Sequence, residues 1–129
     1  MKMSLGAACL LLLTACAPAT TSTSAPPAGG PTISPAQAQQ AQQLIVQKGC
    51  GSCHTIPGVP GATGNIGPNL SGVGSRTTIA GGAVPHNGPA DLQRWILDPP
   101  SVKPGTAMPK LGLTDDEAGT IVAYLETLR

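Results

Sequence analysis

The chain has 129 residues with 7 Lys+Arg against 6 Asp+Glu, so one small domain is its ceiling and no strong field marks a nucleic-acid partner. Gly (17) and Pro (14) make up about a quarter of it, which limits long uninterrupted secondary structure. With one Trp, one Tyr and no Phe, the chain has too few large side chains to fill a small core unaided, which predicts that a non-protein group completes it.

The N-terminus opens on a short basic start, Met1-Lys2-Met3, followed by an apolar run at residues 5–13 with Cys9 inside it. This is a signal-peptide core, too short to span a bilayer as a stable helix. It ends in Leu13-Thr14-Ala15-Cys16, which resembles a lipobox, the bacterial lipoprotein signal in which cleavage before the cysteine leaves that cysteine carrying lipid. The reading is a signal peptide over 1–15 and a lipidated Cys16, which places the protein outside the cytoplasm on a bacterial membrane. The alternative is an ordinary secretory signal. Cleavage removes Lys2 and leaves acidic and basic residues in equal number.

Residues 17–35 are Thr, Ser, Ala, Pro and Gly with no charge and one large apolar residue, Ile33. Such a segment cannot bury enough surface to repay ordering, and residues 16–35 are expected to form a lipid-anchored flexible tether with a reach of at most about 60 Å. The folded domain is expected over 36–129. A first helix is predicted over 36–48, opened by Ser34 as N-cap and Pro35 at the first position, with Ala38, Ala41, Leu44 and Ile45 on one side. Gly49 ends it. Residues 55–88 are dense in Gly and Pro and read as a long loop that wraps a ligand or cofactor. A second helix fits 89–97, stopped by Asp98-Pro99-Pro100. The third follows Thr114 as N-cap, with Asp115, Asp116 and Glu117 at the positive dipole end and Ile121, Val122, Tyr124, Leu125 and Leu128 on its apolar side. No strand is predicted.

The chemistry sits at Gly49-Cys50-Gly51-Ser52-Cys53-His54. In C-x-x-C-H the two thiols add across the two vinyl groups of haem, while the adjacent His supplies an axial nitrogen to iron. Three other chemistries use the same residues: a thioredoxin-like redox pair, a zinc site recruiting His86, and a plain disulfide. The Gly/Pro loop that follows and the lack of a second compact ligand pair favour haem. Met108 is the only methionine left after signal removal and sits in the Pro-rich stretch Lys103-Pro104-Gly105-Thr106-Ala107-Met108-Pro109-Lys110, which suits a fixed thioether as second axial ligand. His86 is the rival ligand, although Val84-Pro85-His86-Asn87-Gly88-Pro89 reads as an exposed loop. Lys48, Lys103 and Lys110 read as solvated charges rather than a docking rim.

Over residues 36–129 the chain resembles a small class I c-type cytochrome, in particular the cytochrome c domain fused to subunit II of some bacterial oxidases. Beyond C-x-x-C-H, Gly67-Pro68-Asn69-Leu70 is similar to the family segment in which the Pro carbonyl accepts a hydrogen bond from the axial His and the Leu packs on the haem. Those roles fall to Pro68 and Leu70. Gly72-Val73-Gly74-Ser75-Arg76 resembles the stretch whose Arg approaches a haem propionate, and Arg94-Trp95-Ile96 with Asp98-Pro99 resembles the one whose Trp nitrogen donates to a propionate. Residues 121–125 are similar to the C-terminal helix that crosses the first helix, where the family often pairs a small residue and an aromatic with an aromatic; here Ala41 and Ile45 take the first-helix places.

The resemblance implies an all-α fold, a small cytochrome c with three main helices and long loops wrapped around one covalently attached haem c. Cys50, Cys53, His54, Pro68, Leu70, Arg76, Trp95 and Met108 would bind the cofactor, with His54 and Met108 on the iron. It implies one-electron transfer in a respiratory chain by a monomeric domain that is not itself an enzyme. A quinol-oxidising complex or dehydrogenase would be donor and a terminal oxidase acceptor. The alternatives are a subunit bound within a larger oxidoreductase, and a haem enzyme or gas sensor with an open sixth position.

Overall fold

The computed structural model describes residues 31–129, so the expected signal peptide, Cys16 and most of the expected tether lie outside the described residues. Helix α1 runs Pro35–Gln47, α2 Pro89–Leu97, α3 Pro99–Val102 and α4 Asp115–Leu125, with a two-stranded hairpin of β1 (Thr78–Ile79) and β2 (Val84–Pro85) before α2.

Both long helices begin with a reciprocal capping box. Ser34 Oγ accepts from the Gln37 N–H while Gln37 Oε1 accepts from the Ser34 N–H at 2.8 Å, and Thr114 and Glu117 repeat the arrangement on α4. Two orphan amides are thereby satisfied at each end. Ile33, read from sequence as part of the tether, packs against the core together with Ala38, the two residues flanking the cap as a hydrophobic staple.

The helix at 99–102 and the hairpin are corrections to the sequence reading. Asp98-Pro99-Pro100 ends α2 as expected, but the Asp98 side chain accepts from the Ser101 N–H and caps a new turn with Pro99 at its first position. In the hairpin, Thr78 pairs with Pro85 and Ile79 with Val84 in antiparallel register. The link at Ala80–Gly82 carries positive φ at Ala80, Gly81 and Gly82. Strands of two residues are too short to show alternation, so the sequence signal was only the glycine pair.

The interhelical packing of α1 on α4 is the most extensive in the fold, and α2 packs on the same helix. Ala41 and Ile45 of α1 and Ala118 of α4 are wholly or almost wholly buried, so small side chains stand at the crossing. Tyr124 contributes the aromatic: its hydroxyl donates to the Pro57 carbonyl at 2.6 Å and accepts from Gln42 Nε2 at 3.3 Å, tying both helices to the loop. From α2, Leu92, Trp95 and Ile96 face inward. Among the described residues no helix is long and apolar enough to cross a membrane.

Candidate haem site

Between the helices and the two long loops lies a cavity of about 620 Å³, in the size range of cofactor pockets. Cys50, Cys53, His54, Pro68, Leu70, Arg76, Trp95 and Met108 all line it, so the eight residues assigned to the cofactor from sequence reach one space. The remaining wall is largely apolar: Ile45, Ile56, Val73, Ile79, Leu92, Ile96, Leu113, Ile121 and Leu125 contribute to it.

Gly49 ends α1 in the left-handed conformation at φ 72°, turning the chain into a single 3₁₀ turn, Cys50–Ser52. That turn sets Cys50, Cys53 and His54 on one wall. Both thiols are free. Burial pushes the Cys50 thiol up, opposed by a backbone hydrogen bond and reinforced by the neighbouring Cys53. The motif follows α1 in a 3₁₀ turn rather than sitting at a strand–helix junction, which argues against thioredoxin-like chemistry. The zinc reading also fails, because among the described residues no three His, Cys, Asp or Glu side chains come together to hold a metal.

His54 Nδ1 lies 2.8 Å from the Pro68 carbonyl oxygen. A carbonyl only accepts, so Nδ1 carries the proton and Nε2 keeps its lone pair for a metal. Gly67 is pressed against the imidazole so closely that a β-carbon there would overlap His54 Cε1. Hence only glycine lets the loop reach the ring. Gly67 N–H donates to the Cys53 carbonyl at 2.8 Å and Leu70 N–H to the Thr55 carbonyl at 2.9 Å, which holds residues 67–70 alongside the cysteine turn. Gly67 carries no role in the sequence reading of this segment, which rests on Pro68 and Leu70; its one sequence signal is its place directly before the Pro.

Arg76 follows the 3₁₀ turn Val73–Ser75 and donates through Nη2 to the carbonyls of Asn69 and Ser71. Trp95 is buried and reaches the cavity from α2. Met108 is partly buried, on a loop between α3 and α4, with its N–H donating to Thr106 Oγ1 at 3.3 Å.

His86 departs from its expected setting. It does not line the cavity, and its side chain is only 2% exposed rather than displayed on a loop. Both its ring nitrogens are engaged elsewhere, Nδ1 with the Arg76 carbonyl and Nε2 with Glu126 Oε1. The three lysines are likewise occupied. Lys48 pairs with Glu117 at 2.8 Å, Lys110 with Asp98 at 2.7 Å, and Lys103 donates to the Ala80 carbonyl at 2.9 Å. The Lys48 hydrogen bond holds the Glu117 carboxyl below the usual carboxylate range, and Lys110 does the same for Asp98.

The donor set suits a covalently attached iron porphyrin: two unpaired thiols and an imidazole with its outer nitrogen committed share an apolar cavity with a thioether. The Cytochrome c family model matches residues 38–129. The chain is 36% identical over 98 residues to cytochrome c oxidase subunit 2 of Bacillus subtilis (strain 168), covering 71% of this chain and 26% of that protein. It is 32% identical over 93 residues to cytochrome c oxidase subunit 2 of Alkalihalophilus pseudofirmus, again covering 71% of this chain and 26% of the relative. A cytochrome c homolog of Bradyrhizobium diazoefficiens is 34% identical over 105 residues, covering 67% of this chain and 56% of its own length. The chain thus spans about a quarter of the oxidase subunits and about half of the cytochrome c homolog. It belongs to the cytochrome c family of electron-transfer proteins, and its cofactor is a covalently attached haem c.

Proposed function

We propose that this chain is a membrane-tethered monohaem cytochrome that passes single electrons outside the cytoplasm in a respiratory chain. Cys50 and Cys53 hold the haem through thioethers, His54 and Met108 are its axial ligands, and a lipid on Cys16 anchors the segment 17–32 as a tether, which ends where Ile33 and Ser34 join the folded domain. The observation that carries this reading is the shared cavity, in which eight residues from four separate segments line one apolar space.

Haem iron, when bound, exchanges one electron between its ferric and ferrous states. The protein's part is positional. The Pro68 carbonyl fixes the tautomer and orientation of His54, and a hydrogen-bonded imidazole is a better donor. The apolar wall excludes water, and a thioether from Met108 favours ferrous iron and so raises the potential. With both axial places filled, no coordination site is open to a substrate, so exchange takes place at the haem edge. Ile66, 76% exposed at the mouth of the cavity, would sit at that edge.

The tests separate the parts. Met108→Ala is expected to lower the potential and admit imidazole to the iron. Cys16→Ser, exported with a cleavable secretory signal, is expected to give a cytochrome released from membranes with an unchanged haem spectrum; an altered spectrum would contradict a purely tethering role. The likeness to oxidase subunits favours a second reading, in which the chain is a fixed subunit of a larger oxidoreductase. Native electrophoresis of gently solubilised membranes, stained for haem, distinguishes a free band from one migrating with a complex.

A further inference from the structure

Behind the cavity wall, His86 and Glu126 form a buried polar pair that the proposed electron transfer leaves without a role. Their side chains are 2% and 5% exposed, and His86 Nε2 lies 2.8 Å from Glu126 Oε1. On its other side, His86 Nδ1 lies 2.9 Å from the backbone carbonyl of Arg76. That carbonyl can only accept, so Nδ1 carries a proton, and the imidazole and carboxylate share one more between Nε2 and Oε1. The pair is therefore neutral as a unit and hydrogen-bonded on both sides.

The surroundings make it a connector. His86 N–H donates to the Thr77 carbonyl at 2.9 Å, and Gly74 N–H donates to the Leu128 carbonyl at 3.0 Å. Gly74 lies so close to the Glu126 carbonyl that a β-carbon would overlap it. Residues 73–77 are thus docked on the C-terminal end of α4, and His86 is the side chain that reaches from the hairpin to both. Arg76, held from behind at its carbonyl, is itself one of the residues lining the cavity, and its guanidinium donates through Nη2 to the Asn69 and Ser71 carbonyls, so the backbone hold at 76 and the side-chain hold at 69–71 together set where the charge lies.

We propose that His86 and Glu126 are positioning residues of the haem site: by holding the Arg76 carbonyl against the end of α4 they fix the Arg76 guanidinium at the cofactor, and so set the reduction potential without touching the haem. The ferrous state carries one positive charge fewer than the ferric, so a well-placed guanidinium favours it, and loosening Arg76 lowers the potential. This rests on the reading that the cavity holds the haem with Arg76 at its edge.

The test is a double-mutant cycle read by potentiometric titration and thermal unfolding of the full-length holoprotein. Arg76→Gln alone is expected to lower the potential. His86→Phe, which keeps ring volume and removes both hydrogen bonds, is expected to lower the potential and the thermal midpoint in the wild-type background. In the Arg76→Gln background it should still lower the thermal midpoint but no longer move the potential. Glu126→Gln is the conservative counterpart, since its amide can donate to the neutral imidazole, and it should keep the potential close to wild type. Where His86→Phe does not accumulate, His86→Gln, which keeps only the contact to Glu126, carries the same expectations. Equal potential shifts in both backgrounds, or a fallen thermal midpoint with an unmoved potential, overturn the positioning role and leave the haem reading intact. A potential unmoved by Arg76→Gln overturns both the positioning role and the placement of Arg76 at the haem.

Discussion

Helices α1 and α4 are held by what they carry themselves, whereas the loops at 49–86 and 103–113 converge on a space the protein does not fill. The helices start from capping boxes and bury Ala41, Ile45, Ala118, Val122 and Tyr124 against one another. The 103–113 segment, by contrast, closes one backbone hydrogen bond within itself among the described residues, from Thr106 N–H to the Lys103 carbonyl. It nevertheless carries Met108. Segments with so few backbone bonds of their own lie at the low-stability end of a structure, so the scaffold contributes stability and the loops contribute chemistry, with the haem joining the two.

The largest effect should come from removing that joint. Cys50→Ser together with Cys53→Ser is expected to abolish covalent haem on denaturing gels and leave a largely unfolded protein by circular dichroism, because the cofactor supplies most of the missing core. A haem-positive band in that variant would contradict the attachment. Next is the scaffold: Ile45→Ala at the α1–α4 crossing should cost about 2–5 kcal/mol in chemical denaturation, as for other buried Ile truncations, while the retained protein keeps its axial ligands.

How much of this was legible in sequence follows the same division. The helices could be read because caps and apolar spacing are local: Ser34 and Pro35 for α1, Pro89 for α2, and Thr114 with three acids for α4. Cys50, Cys53 and His54 were legible because their chemistry dictates their spacing. His86 was not, since nothing local in Pro85-His86-Asn87-Gly88 reveals a carboxylate forty residues away at the end of α4. The 78–85 hairpin was missed for want of length, and α3 because a Pro pair that stops one helix also starts another.

Smaller changes sharpen the contrast. Thr114→Ala removes the α4 cap and should cost about 1 kcal/mol by denaturation, with no change in the haem spectrum. The Lys48–Glu117 bridge links α1 to the first turn of α4 at a partly exposed site. Since the Glu117 carboxyl is held low by Lys48 in the folded state, its contribution is present above the unfolded carboxylate range and is lost as pH falls through the lowered folded value. Lys48→Gln is expected to flatten that acid limb of stability against pH slightly, a change small enough to need paired thermal melts.

The most direct measurement is the far-red absorption of the oxidised holoprotein, where a thioether on ferric iron gives a weak charge-transfer band. Wild type should show the band, Met108→Ala should lose it and bind added imidazole, and His86→Phe should retain it. A band that survives Met108→Ala, or that disappears with His86→Phe alone, would contradict ligation by His54 and Met108 and with it the electron-transfer site described above.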